Sequence, residues 1–159
     1  APFAWRAIVY PHRLRPELVE AMAAAGCDEV ALGAESGSDP MLRAMGKRFT
    51  SDDVRAASSA FKAAGISRTG FLLLGAPGET RDTVRESFDL VDELELEILK
   101  ITVGIRIYPN TPLAAAARRE GVIAADDDLL QPRFYLAREV AGWIDDAVAA
   151  RRFTARAVC

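Results

Sequence analysis

FLLLGAPGET, residues 71–80, joins a run of apolar residues to a turn that ends on an acid and a hydroxyl. The apolar run predicts a buried strand, and the two glycines and the proline predict a tight turn directly after it. Thr80 then suits the cap of a following helix. Such a turn is either a plain connection or the rim of a ligand site, and the rest of the sequence has to decide between the two.

Strands and helices alternate along most of the chain. Each strand is a continuous apolar run, which is typical of a parallel sheet covered on both faces. The predicted fold class is therefore α/β, with four parallel strands joined by crossover helices. The predicted strands are residues 5–11, 29–36, 67–75 and 98–109, and the predicted helices are residues 15–26, 38–46, 50–65 and 79–95.

The alternation of strands and helices ends near residue 121. Residues 122–136 are irregular and partly acidic, and residues 137–152 predict one more helix. We therefore divide the chain into residues 1–121, which carry the strands, and residues 122–159, which hold the irregular segment and the C-terminal helix.

Composition limits the function classes. The chain has 159 residues, half of them hydrophobic, which suits one domain with a buried core. A net charge of −3 gives no electrostatic indication of nucleic-acid binding. No apolar run approaches the ~18 residues of a membrane span, and the first residues lack the layout of a signal peptide, so a cytoplasmic location is expected. The two cysteines, Cys27 and Cys159, show no metal-ligand spacing, and no metal ligand is predicted.

Polar residues follow the predicted strands at their carboxyl ends, where parallel sheets and barrels bind ligands. Glu35 can accept hydrogen bonds from a ribose diol or pair with an ammonium group, or it can simply bond neighbouring backbone amides. Ser36 can hydrogen-bond the same ligand. Gly75 lets the backbone approach a ligand closely, although it can equally serve only the turn.

The last predicted strand adds two candidates to this rim. Arg106 is a charge inside an apolar strand and needs a partner, for which Glu35 or a ligand carboxylate would serve. Tyr108 either stacks on a base or packs against the protein. His12, the only histidine, is expected in a solvated loop. GAPGET lacks the lysine of a phosphate-binding P-loop, and no catalytic residue is predicted.

Three motifs in order carry a resemblance to a known family. They are GAESGSDPMLRAMGKRFTSDDVRAASSAFKAAGI, GFLLLGAPGETRDTVRESFDLVDEL and IRIYPNTPLAAAARREG. Together they resemble the radical S-adenosylmethionine superfamily, and most closely its cobalamin-binding and methylthiotransferase-like branches. The resemblance covers residues 5–121. It implies a partial (β/α)6 barrel in which the four predicted strands are the third to the sixth.

The resemblance also implies roles for single residues. The acid after the fourth barrel strand and the adjacent serine, here Glu35 and Ser36, would contact S-adenosylmethionine. Backbone at the end of the fifth strand would lie against the adenine, and the sixth strand would close the pocket from Arg106 to Tyr108. The backbone residues concerned are Leu74, Gly75, Ala76 and Pro77.

The chain also departs from the family. Members carry a CxxxCxxC segment whose thiolates hold a four-iron, four-sulfur cluster, and a Gly-Gly-Glu segment that binds the amino group of the cofactor. Neither segment occurs here. We therefore expect the C-terminal portion of a radical S-adenosylmethionine enzyme, with the cluster only in the intact protein, cobalamin possible, and the isolated chain inactive.

Two alternatives stay open at this point. One is a cluster-free module that binds S-adenosylmethionine or a nucleotide, and the other is a small doubly wound domain whose strand order reverses at the ligand site. A small-molecule or peptide substrate is expected without being identified. The first predicted strand would be an open sheet edge, so it should pair with a missing N-terminal barrel half or with a second copy.

Overall fold

Seven strands form two sheets in this computed structural model, which describes residues 3–158 and the side chains of residues 3–155. Five strands make one parallel sheet in the order β1-β2-β3-β4-β7, and β5 pairs antiparallel with β6. The strands are β1 (Trp5–Val9), β2 (Cys27–Glu35), β3 (Ser67–Leu74), β4 (Ile98–Val103), β5 (Ile105–Ile107), β6 (Arg133–Tyr135) and β7 (Arg156–Val158).

Seven helices lie between the strands within residues 3–158. The two longest begin at threonines whose side chains accept a hydrogen bond from the backbone three residues on, Thr50 from Asp53 and Thr80 from Thr83, as helix caps do. Within residues 3–158, no helix has the length and apolar character needed to cross a bilayer. The helices are α1 (Pro16–Ala24), α2 (Asp39–Ala44), α3 (Ser51–Ala63), α4 (Arg81–Leu94), α5 (Pro112–Arg119), α6 (Arg138–Ala141) and α7 (Ile144–Ala150).

Helices cover one face of the parallel sheet. Val30, Leu32 and Ala34 of β2 are fully buried beneath α1, α3 and α4, while the alternate residues Ala31 and Gly33 are only partly buried. The expectation of two covered faces was therefore wrong for the second face. A sheet with helices on one face and an open opposite face is the arrangement of a partial barrel, in which the helices lie outside and the open face is the inner one.

The strand order separates the fold alternatives. β1 to β4 lie side by side in the order of the sequence, without a reversal among the described residues. This arrangement contradicts the doubly wound alternative, which needs a reversal at the ligand site. The prediction of four parallel strands with crossover helices, as in a partial barrel, is confirmed.

The predicted strand 98–109 is in fact two strands. Gly104 has a φ of +85°, which turns the chain out of the parallel sheet, and its amide donates to the carbonyl of Leu74 at 2.8 Å. β5 then pairs with β6. Apolar residues on both sides of Gly104 concealed the turn.

The C-terminal segment also differs from its prediction. The single helix expected over 137–152 divides into α6 and α7 around Gly142, and β7 adds a fifth strand beside β4. Val140 and Ile144 are fully buried in the same core as β3, so the segment packs on the sheet. The division into residues 1–121 and 122–159 stays a prediction. Cys159 lies outside the described residues.

Candidate cofactor-binding site

Glu35 ends β2 in an unusual backbone conformation. Its φ is +62°, the pairing register with β3 shifts between Gly33 and Glu35, and the amide of Ser36 donates to the carbonyl of Ala34 at 2.7 Å. The chain therefore bends sharply, and the carboxylate folds back over Gly33. A Cβ at position 33 would stand 3.0 Å from Glu35 Oε1, so glycine leaves the space that this carboxylate occupies. A left-handed conformation at a residue other than glycine is costly and is often found at functional sites.

Lys47 is the partner of Glu35. Its Nζ lies 3.0 Å from Oε1 in a partly buried ion pair. Among residues 3–155, no donor reaches Oε2, and this oxygen is not among the buried unpartnered atoms. One oxygen of Glu35 is thus held by the protein, and the other is open to a ligand. Lys47 was not predicted as a site residue, because its contact with Glu35 spans 12 residues of sequence.

Ser36 faces into the protein. It is fully buried, its Oγ lies 3.0 Å from Oγ of Ser87 in α4, and it accepts from the amide of Ser38. Ser87 Oγ also accepts from the amide of Gly37 at 2.8 Å. This network fastens the loop after β2 to α4. The structure therefore places Ser36 behind Glu35, where it supports the loop.

The turn after β3 is closed by Glu79. Its Oε2 accepts from the amides of Gly75 and Ala76, the latter at 3.2 Å, and Thr83 donates to Oε1 at 3.4 Å. The carbonyls are used as well, since Gly75 accepts from Ala137 at 2.9 Å and Ala76 accepts from the Glu79 amide at 3.0 Å. The backbone amides and carbonyls of Gly75 and Ala76 are therefore satisfied within the protein.

Burial affects the ionisation of Glu79. The side chain is only 1% exposed, and this burial raises the pKa of its carboxyl against the opposing effect of the two backbone amides. Gly75 has a φ of +93°, and a Cβ there would collide with Leu136. The geometry of the turn is therefore enough to require glycine at position 75, whether or not the backbone there also approaches a ligand.

A cavity of about 520 Å³ lies beside this turn. It is mainly apolar and opens between α2, the end of β3, and the start of α5. Among the described residues that line it, Lys47 alone is charged, and the predicted site residues Ala76 and Pro77 also line it. The lining residues are Ala44, Met45, Lys47, Leu73, Ala76, Pro77, Ile105, Thr111, Pro112, Leu113 and Ala116. Its volume falls within the range of small-molecule and cofactor sites.

Arg106 and Tyr108 lie at the surface rather than in a buried strand. Arg106 is exposed, and its guanidinium stands 5.0 Å from the centre of the Tyr108 ring, which is itself 54% exposed. Arg106 was predicted as a charge inside an apolar strand, with Glu35 or a ligand carboxylate as its partner. The structure places it differently, since the chain leaves the parallel sheet at Gly104 and Arg106 is exposed in the short strand β5. Arg106 is adjacent in sequence to Ile105, which lines the cavity, and Tyr108 lies two residues beyond Arg106.

The buried arginine of this fold is Arg68. It is 1% exposed and bonds Glu97, Ser58 and the carbonyls of Leu94 and Glu95, which uses its donors within the protein. It lies near the amino end of β3, at the opposite end of that strand from the cavity. Arg68 was not predicted as a buried residue from the sequence, although an arginine at the start of an apolar strand was an available signal.

Family comparison agrees with this geometry. Residues 6–91 match the model of the radical SAM superfamily, which is more than half of the chain. The chain belongs to the radical S-adenosylmethionine superfamily. Members of this superfamily use S-adenosylmethionine and a four-iron, four-sulfur cluster.

Individual relatives share limited identity with the chain. It is 28% identical over 135 residues to a tRNA-2-methylthio-N(6)-dimethylallyladenosine synthase of Desulfosudis oleivorans, covering 82% of this chain and 28% of that protein. It is 33% identical over 116 residues to the ribosomal protein uS12 methylthiotransferase RimO of Heliobacterium modesticaldum, covering 68% and 24%. The chain therefore spans about a quarter of the length of these relatives.

A solved structure shows the same architecture. The radical S-adenosylmethionine methyltransferase TsrM from Kitasatospora setae, with cobalamin and a [4Fe-4S] cluster bound, matches with a TM-score of 0.64 at 28% identity. The match covers 72% of this chain and 22% of that one.

The two cofactors fit this chain differently. The cavity and the free oxygen of Glu35 fit the adenosine part of S-adenosylmethionine. The cluster does not fit, because it needs three thiolates and the chain has two cysteines. Cys27 is buried, and burial raises the pKa of its thiol, which disfavours the thiolate. No group of three metal-binding side chains occurs within residues 3–155.

Proposed function

We propose that this chain is the C-terminal portion of the catalytic barrel of a radical S-adenosylmethionine iron–sulfur enzyme, and that its strand ends bind the adenosine moiety of the cofactor. The observation that carries the proposal is Glu35, which keeps one carboxylate oxygen free at the rim beside an apolar cavity. A ribose diol offers the two hydroxyl donors that a carboxylate prefers.

The adenine would lie in the cavity against the side of the β3 turn. Leu73, Ala76 and Pro77 supply apolar surface there, and the satisfied backbone from Leu74 to Ala76 keeps its shape without a ligand. Arg106 and Tyr108 would cover the mouth, where a guanidinium and a ring can stack on a purine. Ser36 contributes by fixing the loop that carries Glu35.

Cleavage of S-adenosylmethionine belongs to the intact enzyme. The cluster would supply the electron for that cleavage, and its thiolates must come from a segment outside this chain. The isolated chain should therefore bind without reacting. Cobalamin, which is bound in the TsrM structure, is a further proposal for the intact enzyme. A cytoplasmic location likewise stays a prediction.

The transferred group is proposed from the relatives, and the acceptor is left open. The three relatives named above are two methylthio-transferring proteins and a methyltransferase, which favours methyl or methylthio transfer. Their acceptors include a tRNA nucleoside and a ribosomal protein. Nothing in the cavity of this chain selects between such acceptors.

The edge strand β1 supports the proposal of a missing barrel half. It has no neighbour on its outer side among the described strands, and Ile8 is 91% exposed. Phe3, Trp5 and Tyr10 add further exposed apolar surface along the same edge. An edge of this kind pairs with another strand or aggregates. The isolated chain should self-associate in light scattering, and a stable monodisperse monomer would contradict this part of the proposal.

Glu35→Gln in the intact protein is the direct test of the site. Equilibrium dialysis with S-adenosylmethionine should show an affinity about tenfold lower than that of the parent, since a hydrogen bond to a charged group is lost. Glu17→Gln, an exposed change in α1, is the matched control and should bind like the parent. Equal affinity in both variants would remove Glu35 from the site.

The coding sequence upstream of Ala1 offers an independent test. An in-frame CxxxCxxC segment followed by Gly-Gly-Glu would supply the cluster ligands that this chain lacks. Their absence from the intact protein would favour the cluster-free binding module.

A further inference from the structure

Lys47 lies between the rim carboxylate and the cavity. Its Nζ is 3.0 Å from Glu35 Oε1, and the same side chain lines the cavity beside Met45 and Pro77. The two partners keep 17% and 25% of their side-chain surface exposed, Glu35 and Lys47 respectively, so the pair is partly withdrawn from water. Such a pair is screened less by solvent than one on the open surface.

Three features converge on one position of the Glu35 carboxylate. The left-handed backbone at Glu35 directs the side chain back along β2, Gly33 leaves room for it, and Lys47 binds one of its oxygens. The first two define where the carboxylate can lie. Only the third fixes which oxygen is used by the protein and which one stays available.

We propose that Lys47 is a positioning residue for the ribose of the cofactor. By holding Oε1, it fixes the carboxylate of Glu35 so that Oε2 receives the ribose hydroxyls. This role rests on the proposed function, since it concerns the same site. Lys47 would then contribute to the preference for a ligand with both ribose hydroxyls, in addition to any effect on affinity.

The readout is the preference for a diol. S-adenosylhomocysteine and its 2′-deoxy analogue differ by one ribose hydroxyl, and both are unreactive with the enzyme's cluster chemistry. In the intact parent protein, the deoxy analogue should bind about tenfold more weakly, because a hydrogen bond to a charged acceptor is lost. Isothermal titration calorimetry of both ligands gives this ratio.

Lys47→Met keeps an apolar stem and removes the ammonium group. The ratio of the dissociation constants of the two ligands should fall toward one, because the Glu35 carboxylate then has no fixed orientation. Lys47→Arg restores a cation that can bond a carboxylate, and it should recover most of the preference. Arg43→Met removes one positive charge from the exposed surface of α2 and should keep the parent ratio. A purely structural role for Lys47 would weaken both ligands equally and leave the ratio unchanged.

A second comparison ties the effect to Glu35. The double variant Glu35→Gln with Lys47→Met should show the same ratio as Glu35→Gln alone, because a positioning residue acts only through its partner. A parent-like ratio in Lys47→Met would overturn the inference while the proposed function stands. Failure of the intact parent to bind either ligand would overturn the proposed function itself.

Discussion

Glu35 ends β2 and Glu79 lies shortly after the neighbouring parallel strand β3, at the same end of the sheet, yet their carboxylates have different roles. Glu79 is 1% exposed and accepts from two backbone amides and a threonine hydroxyl, so it belongs to the turn. One carboxylate oxygen of Glu35 accepts a hydrogen bond from Lys47, and the other stays accessible. Residue type and topological position are therefore not enough to identify a ligand-binding carboxylate. What distinguishes the two is whether the protein already occupies their hydrogen-bonding capacity.

Glu79→Ala should give the largest effect on stability. It leaves the buried amides of Gly75 and Ala76 without an acceptor, each at a cost of about 1–3 kcal/mol, so we expect a loss of about 3 kcal/mol. Urea unfolding of the intact protein measures this. Glu20→Ala, an exposed glutamate of α1, is the control and should change stability little. Comparable losses in the two variants would mean that the turn does not depend on Glu79.

Ser87→Ala should give the next largest effect. Its hydroxyl accepts from the amide of Gly37 and bonds Ser36, so its removal should cost about 1–2 kcal/mol. The same urea experiment applies, with Ser59→Ala on the exposed side of α3 as control. Because the loop after β2 also carries Glu35, affinity for S-adenosylmethionine should fall as well. If Ser87→Ala keeps the parent's stability and affinity, the Ser36–Ser87 hydrogen bonds do not contribute to the site.

Much of this fold could be predicted from local sequence, whereas the site could be predicted only in part. Apolar runs located β1 to β3, and threonine caps located α3 and α4, because both signals lie within a few residues of the element. Glu35 was found because it lies at the carboxyl end of a predicted strand. The roles of Lys47 and Ser87 depend on contacts 12 and 51 residues away, which no local pattern records.

The errors have equally specific causes. The stretch that contains Gly104 is apolar on both sides of the glycine, so periodicity alone could not show that the chain leaves the sheet there. Arg106 was consequently assigned to a long apolar strand, whereas it is exposed in β5. The open inner face of the sheet was missed because its partly buried residues are themselves mainly apolar.

The backbone conformation of Glu35 should lower the stability of the folded protein. Its φ of +62° is unfavourable for any residue with a Cβ, at a cost of roughly 1 kcal/mol. Glu35→Gly should therefore be about 1 kcal/mol more stable than Glu35→Ala, although both lose the carboxylate and bind S-adenosylmethionine weakly. Thermal unfolding compares the two variants. Equal stability would indicate that the bend after β2 relaxes once the carboxylate is removed.

The smallest expected effect concerns pH and Glu79. Because burial raises the pKa of this carboxyl in the folded protein above its ordinary value of 4.5, the folded state binds its proton more tightly than the unfolded state. Relative to Glu79→Gln, the parent should therefore gain stability as the pH falls from neutrality through the raised pKa, and the gain should be complete below 4.5. The difference in the free energy of unfolding between the two proteins, followed across this range, isolates Glu79 from other carboxylates. A difference that shrinks or reverses on acidification would mean that the two backbone amides outweigh burial, and Glu79 would then resemble an ordinary bound carboxylate.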